Sequence, residues 1–224
     1  MKRIFLFVAS LFILMGVQAQ PKPGTFSVTP KVGVNLAKLT KFSWVVDEAK
    51  PRYKSGFVGG VDVNYQATDI SAISLGVFYS MQGVKITDFT VNNGDGTYIG
   101  VNDMHWDWHY INIPLMYNFY MAEGLAAKIG VQAEFLLSNK FKAVSTKFTE
   151  DEDGLRTYGP TQRSSSEWSN VHKFDLGIPV GLSYEYMNVV LDARYNLGLL
   201  RVIKEGFSSQ NSFFTFTVGY KFDL

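Results

Sequence analysis

The chain has 224 residues, 21 lysines and arginines against 20 aspartates and glutamates, and no cysteine. That length fits one domain or a small pair. The absence of cysteine excludes disulfides, thiolate metal sites and cysteine nucleophiles, and a formal charge of +1 excludes the polycationic surface expected of a nucleic-acid binder.

The N-terminus "MKRIFLFVASLFILMGVQAQ" opens with Lys2 and Arg3. Residues 4–17 form an apolar core broken only by Ser10 and Gly16, and Val17 and Ala19 occupy the −3 and −1 positions of a small-residue cleavage site. This is the pattern of a secretory signal peptide, too short to read as a spanning helix. Residues 1–19 are expected to be cleaved, leaving residues 20–224 as one exported domain. Loss of Lys2 and Arg3 takes the basic count from 21 to 19 against 20 acids, a mature charge of −1. No later stretch is apolar enough to span as a helix, so the exported chain is either soluble or a barrel, the other fold that satisfies its backbone in lipid.

Eight segments then alternate with a period of two. In chain order they are "TFSVTPKVGVNLA", "SGFVGGVDVNYQ", "AISLGVFYSMQG", "YINIPLMYNFYM", "LAAKIGVQAEFLLS", "KFDLGIPVGLSYEY", "NVVLDARYNLGLL" and "FFTFTVGYKFDL". In the first, Phe26, Val28, Val32, Val34 and Leu36 share one parity, and Ser27, Thr29, Lys31 and Asn35 the other. In the last, Phe214, Phe216, Val218, Tyr220, Phe222 and Leu224 oppose Thr215, Thr217, Gly219, Lys221 and Asp223. Short connections ("ATDI", "AEG", Met187 with Asn188) alternate with long ones, at roughly 38–54, 85–109, 139–172 and 201–212. Long–short alternation marks an up-and-down barrel with one end in the periplasm and the other outside. The fold expected is all-β: an eight-stranded antiparallel up-and-down transmembrane β-barrel. Pro114 and Pro179 fall inside central strands, where a missing ladder hydrogen bond calls for a bulge or a locally open ladder.

The polar parity carries Asp62, Lys128, Glu134, Asp192 and Arg194 in mid-strand, among Gly, Ser and Asn. Small residues suit the crowded inside of a narrow barrel, and these five charges are expected to form an interior polar network. Counted with Lys31, Lys85, Lys221, Asp175, Glu185 and Asp223, the inward candidates number five cations and six acids, near balance. With Met187 and Asn188 as turn residues, Arg194 falls opposite Gly181, whose missing side chain makes room for it. Tyr65, Tyr117, Tyr184, Tyr186, Tyr220 and Phe222 gather toward the short-turn end of the apolar parity, as membrane-interface aromatics do. Phe57, Tyr79, Phe135 and Phe174 lie toward the other end.

"TPKVGVNLAKL", "HYINIPLMYNF", "FDLGIPVGLSYEY" and "LDARYNLGL" resemble the strand motifs of PorT-like outer-membrane β-barrel proteins, over essentially the whole mature chain. The resemblance implies a small integral barrel in the outer membrane of a Gram-negative cell. It links the chain only loosely to protein export and brings no catalytic motif.

Other chemistry is sparse. His105 and His109 in "HWDWHY" lead into the fourth segment, about 13 Å apart on one face of a strand, too far to share an ion. With Trp106 and Trp108 they read as polar and aromatic residues at the membrane rim. "EDEDG" lacks the EF-hand spacing. No catalytic, metal or cofactor residue is assigned. The expected function is that of an outer-membrane barrel with a side-chain-filled interior and long extracellular loops, in a structural or interaction role. Its expected partners are outer-membrane lipid, the barrel-assembly machinery through the C-terminal strand, and a protein at the long loops; nucleic acid is not among them. The alternatives are a narrow pore or transport component, a lipid-modifying rim enzyme using Ser80 or Ser138 with His109 or His172, and a soluble lipocalin-like binder.

Overall fold

The computed structural model describes residues 22–40, 49–151, 153–167, 170–204 and 209–224; the expected signal peptide lies outside them. The strands are β1 (Phe26–Thr40), β2 (Pro51–Arg52), β3 (Lys54–Thr68), β4 (Ser71–Ile86), β5 (Phe89–Asn92), β6 (Thr97–Ala122), β7 (Leu125–Glu150), β8 (Arg156–Ser166), β9 (Phe174–Tyr186), β10 (Val189–Gly198), β11 (Gln210–Tyr220) and β12 (Phe222–Asp223). Eight of them close a ring in the order β1, β3, β4, β6, β7, β9, β10, β11, every neighbour antiparallel. Closure is made by β1, which pairs with β3 on one side (Lys31↔Gly60) and β11 on the other (Lys31↔Gly219). A ring has no edge at which backbone groups stay unpaired in lipid.

Local chemistry fixes the register. Met187 and Asn188 both take positive φ, 45° and 66°, the conformation of a two-residue hairpin turn. That turn sets Val189 against Tyr186 and carries Arg194 opposite Gly181. A Cβ on Gly181 would lie 2.3 Å from the Ala193 carbonyl oxygen and 2.9 Å from the Arg194 Cα. The two prolines are absorbed by interruption without slippage. The β4–β6 pairing runs to Leu75↔Leu115 and resumes at Phe78↔Asn112, skipping Pro114 with the register unbroken. The β7–β9 pairing skips Pro179 in the same way, between Ile129↔Val180 and Gln132↔Gly177.

Two of the expected long loops are strands. β6 and β7 each run for 26 residues, more than twice the roughly 9–11 that cross a bilayer. Their outer halves continue the hairpin pairing as far as Thr97↔Thr149. β5 adds to the β6 side and β8 to the β7 side, giving a four-stranded sheet that rises from one wall of the ring. β8, "RTYGPTQRSSS", is exposed at every position. With polar residues on both faces it has no period for the sequence to reveal.

Gly181→Ala should destabilise the fold by about 1–3 kcal/mol through overpacking, seen as a weakened heat-modifiable band on a detergent gel. Gly159→Ala, on exposed β8 with its nearest neighbour 3.4 Å from the new Cβ, should leave that band intact.

Candidate functional site: a barrel closed at two heights

The outward parity makes a continuous apolar belt. Val32, Val61, Leu75, Leu115, Val131, Val180, Leu191 and Phe216, one from each ring strand, are all exposed, at 41–54%. An apolar surface continuous around a whole monomer needs an apolar solvent. At the short-turn end the belt finishes in Tyr65, Tyr117, Tyr184, Tyr186, Tyr220 and Phe222, all outward and all more than marginally accessible. Tyr65 packs on Phe26 and Tyr220 on Phe222, each with ring centroids 4.9 Å apart. At the other end lie Phe57, Tyr79, Phe135 and Phe174, the last two 5.3 Å apart.

Inside the belt the ring is filled by charge. Lys31, Asp62, Lys128, Asp192 and Arg194 meet in one cluster, each at most 6% exposed. Lys31 Nζ lies 2.7 Å from Asp62 and 3.3 Å from Asp192. Lys128 Nζ lies 2.7 Å from Asp192. Arg194 donates Nε to Asp192 at 2.6 Å and Nη2 to Asp62 at 3.1 Å. Its guanidinium also lies 5.6 Å from the centre of the Phe78 ring. Three cations thus share two carboxylates across β1, β3, β7 and β10. Lys31, which the sequence places on the right parity but does not single out, is as central as the other four.

Glu134 stands apart, in an amide and hydroxyl layer on the loop side. Its carboxylate accepts from Gln132 Nε2 at 2.9 Å and Gln82 Nε2 at 3.3 Å. Gln82 also donates to Ser80 at 2.9 Å, and Asn35 donates to Ser80 at 2.8 Å. Thr215 donates to Asn35 at 2.8 Å and receives Asn196 Nδ2 at 3.1 Å. Lys85, counted as inward from its position, is exposed and bound to Asp103 at 3.0 Å.

Beyond this layer the polarity inverts. On β6, Met104, Trp106, Trp108 and Tyr110 point inward and are buried. They join Leu39, Val84, Ile86, Phe89, Ala143, Val171, Val202 and Ile203 in one apolar core that caps the ring. The tryptophans are therefore not rim aromatics. They lie on the parity that carries Asn112 and Asn118 further down the same strand, where the inside is polar. The outward parity becomes charged over the same stretch. Asp107 takes Lys54 and Lys142 at 2.8 Å each and His105 at 3.7 Å. Burial raises the Asp107 carboxyl, but hydrogen bonds from Lys142 and Lys54 and the nearby positive charges outweigh it, bringing it down to about 2. A β-bulge between His109 and Tyr110, where Leu137 is the extra residue of β7, marks the change of regime. Oily outside with charge inside is the arrangement for lipid; oily inside with charge outside is the arrangement for water.

His109 faces outward against the Tyr79 hydroxyl, with Ser138 as its cross-strand neighbour on β7, while Ser80 is buried inside with Asn35 and Gln82. Among the described residues no group of acids and histidines could hold a metal ion.

The sequence model of a family described as "Outer membrane protein beta-barrel domain" matches residues 18–204. Solved structures similar to this chain include Ail, the attachment invasion locus protein of Yersinia pestis. It is 13% identical, with 89% of this chain and 99% of that one covered and a TM-score of 0.46. Neisserial surface protein A is 15% identical over 88% and 97%, with a TM-score of 0.44. OprG of Pseudomonas aeruginosa is 11% identical over 92% and 99%, with a TM-score of 0.41. No curated protein matches the sequence.

Asp192→Asn leaves Asp62 alone among three buried cations. It should cost about 3–5 kcal/mol, measured as a lower urea midpoint for unfolding from lipid vesicles. Glu150→Gln, which breaks the exposed pair with Arg156, should leave the midpoint unchanged.

Proposed function

Because the chain belongs to the outer-membrane protein β-barrel domain family, we propose that it is a non-enzymatic, non-conducting barrel that mounts an interaction surface outside the cell. The observation that carries this is the double closure: a buried charge cluster within the lipid belt, and an apolar cap built on Trp106 and Trp108 above it. Both lie across the path a solute would take. The same strands that close the barrel extend outward to form the projecting sheet. On that sheet Tyr98, Phe148 and Tyr158 form a row with ring centroids 5.1 and 5.4 Å apart, and the Arg156 guanidinium lies 5.1 Å from the Phe148 ring. Beside this row β8 presents its outer edge. We assign the protein partner to this surface. Trp168, which the sequence groups with Phe148 and Tyr158, lies outside the described residues.

The finer reading is a PorT-like barrel with a link to protein export, supported by the strand motifs quoted above. In this reading residues 1–19 direct export and are removed, and residues 20–224 form the domain. The assembly machinery recognises the last strand, where Phe214, Phe216, Val218, Tyr220 and Phe222 all face outward beside β1. The non-enzymatic reading is supported, for the Ser80 and His109 pairing, by their lying on opposite faces of the wall. A transport role is favoured by one feature, a small polar vestibule at the short-turn end. It runs past Lys221 and Glu185 to Lys31 and Lys128, where the charge cluster meets it.

Reconstituted in a planar bilayer, the protein should give no stable single-channel current, and Trp108→Ala should give none either because the charge cluster remains. A steady ohmic current from the unmodified protein would replace this reading with that of a pore.

A further inference from the structure

Where the wall changes from lipid to water, it also has a notch. β7 is paired with β9 up to Phe135↔Phe174 and with β8 from Phe141 onward. Between these points lies a cleft of about 330 Å³. Leu136, Leu137 and Val171 give it an apolar floor, and Lys173, Lys204 and Glu167 stand around it. The backbone that carries the lysines is fixed. The Leu136 N–H donates to the Lys173 carbonyl at 2.8 Å, the His172 N–H to the Val202 carbonyl at 2.8 Å, and the Lys204 N–H to the Asn170 carbonyl at 3.2 Å.

Three lysines elsewhere on the outer collar are paired. Lys54, Lys85 and Lys142 are each held by an aspartate. Among the described residues, no ion pair engages Lys173 or Lys204. Both are exposed, and with Glu167 the cleft carries one net positive charge. Directly beneath it, Phe135, Leu137 and Phe174 are exposed on the outer face, at 44%, 60% and 43%. The cleft thus joins cations above to an apolar surface below, at the height where a lipid has its headgroup above its acyl chains.

We propose that this cleft is a site for a phosphorylated lipid of the outer leaflet, with its phosphate between Lys173 and Lys204 and an acyl chain along Leu137, Phe135 and Phe174. The site rests on the barrel being membrane-embedded and is independent of whether the barrel conducts. A strongly hydrated ammonium suits phosphate as a point charge, and basic residues at a membrane surface attract anionic headgroups additively.

The test is retention of lipid by the full-length purified barrel. The protein is reconstituted in phosphatidylcholine nanodiscs doped with bisphosphorylated lipid A and extracted into detergent, and bound lipid A is counted by native mass spectrometry. The unmodified barrel should retain lipid A, and Lys173→Gln with Lys204→Gln should lower its occupancy roughly tenfold or more. Lys85→Gln, on the same collar, should change nothing. Lipid A stripped of its phosphates should not be retained. Equal retention by the double variant, or of the stripped lipid, overturns the proposal. Heat-modifiable migration, run on every sample, separates those outcomes from a barrel that has failed to fold.

Discussion

In an eight-stranded ring, every residue of one parity is forced into an interior just wide enough for side chains to fill. The other parity must face whatever surrounds the ring. The longest strands, β6 and β7, outrun one surrounding. Toward the short turns the ring stands in an apolar solvent, and the interior is left to Lys31, Asp62, Lys128, Asp192 and Arg194, which pair with one another at 2.6–3.3 Å. Toward the other end the wall stands in water, and the same inward parity of β1, β4 and β6 supplies Leu39, Val84, Ile86, Trp106 and Trp108. On these strands phase is kept and polarity is reversed, while on β7 the bulge moves the inward face from Glu134 to Ala143. The bulge at Leu137 and the charged collar around Asp107 fall at the boundary.

In this arrangement the described side chains of the ring strands themselves fill the interior. A charge cluster alone would leave its outer face open to water. The apolar cap removes that face from solvent, and the amide layer of Gln82, Gln132, Asn35 and Asn196 lies between the two. Glu134 belongs to that intermediate layer, where neutral amides donate to it and, among the described residues, no cation does. The cap also ties the base of the projecting sheet to the ring, since β6 and β7 run through both and contribute to the cap. Rigidity of the mount and exposure of the sheet follow from the same strands.

Much of the ring was legible because alternation is what lipid on one side and a filled interior on the other impose. The Met187–Asn188 turn gave the Arg194↔Gly181 register directly, and the two prolines announced the ladder gaps that skip them. Parity shows a face and not a height, so it could not separate Glu134 from the cluster; counting Lys85 as inward went against parity, since it shares the odd face of β4 with outward Leu75 and Tyr79. The outer half was missed for a different reason. "MHWDWHY" alternates as cleanly as any segment, but its apolar residues occupy the parity that is polar lower down. A reading that seeks one outward-facing apolar stripe stops at Tyr110. The signal was there as a phase reversal along one strand. β8 had no signal, since both of its faces meet solvent.

The phase reversal can be tested residue by residue, because the chain has no cysteine of its own. A spin label is placed singly along β6 at 103–119 in lipid vesicles, and its collisions with oxygen and with a water-soluble nickel chelate are measured. Positions 111, 115, 117 and 119 should favour oxygen, 105 and 107 should favour the chelate, and 106 and 108 should be shielded from both. Oxygen-favouring contact continuing up to 105, or chelate reaching 106 and 108, would contradict the account.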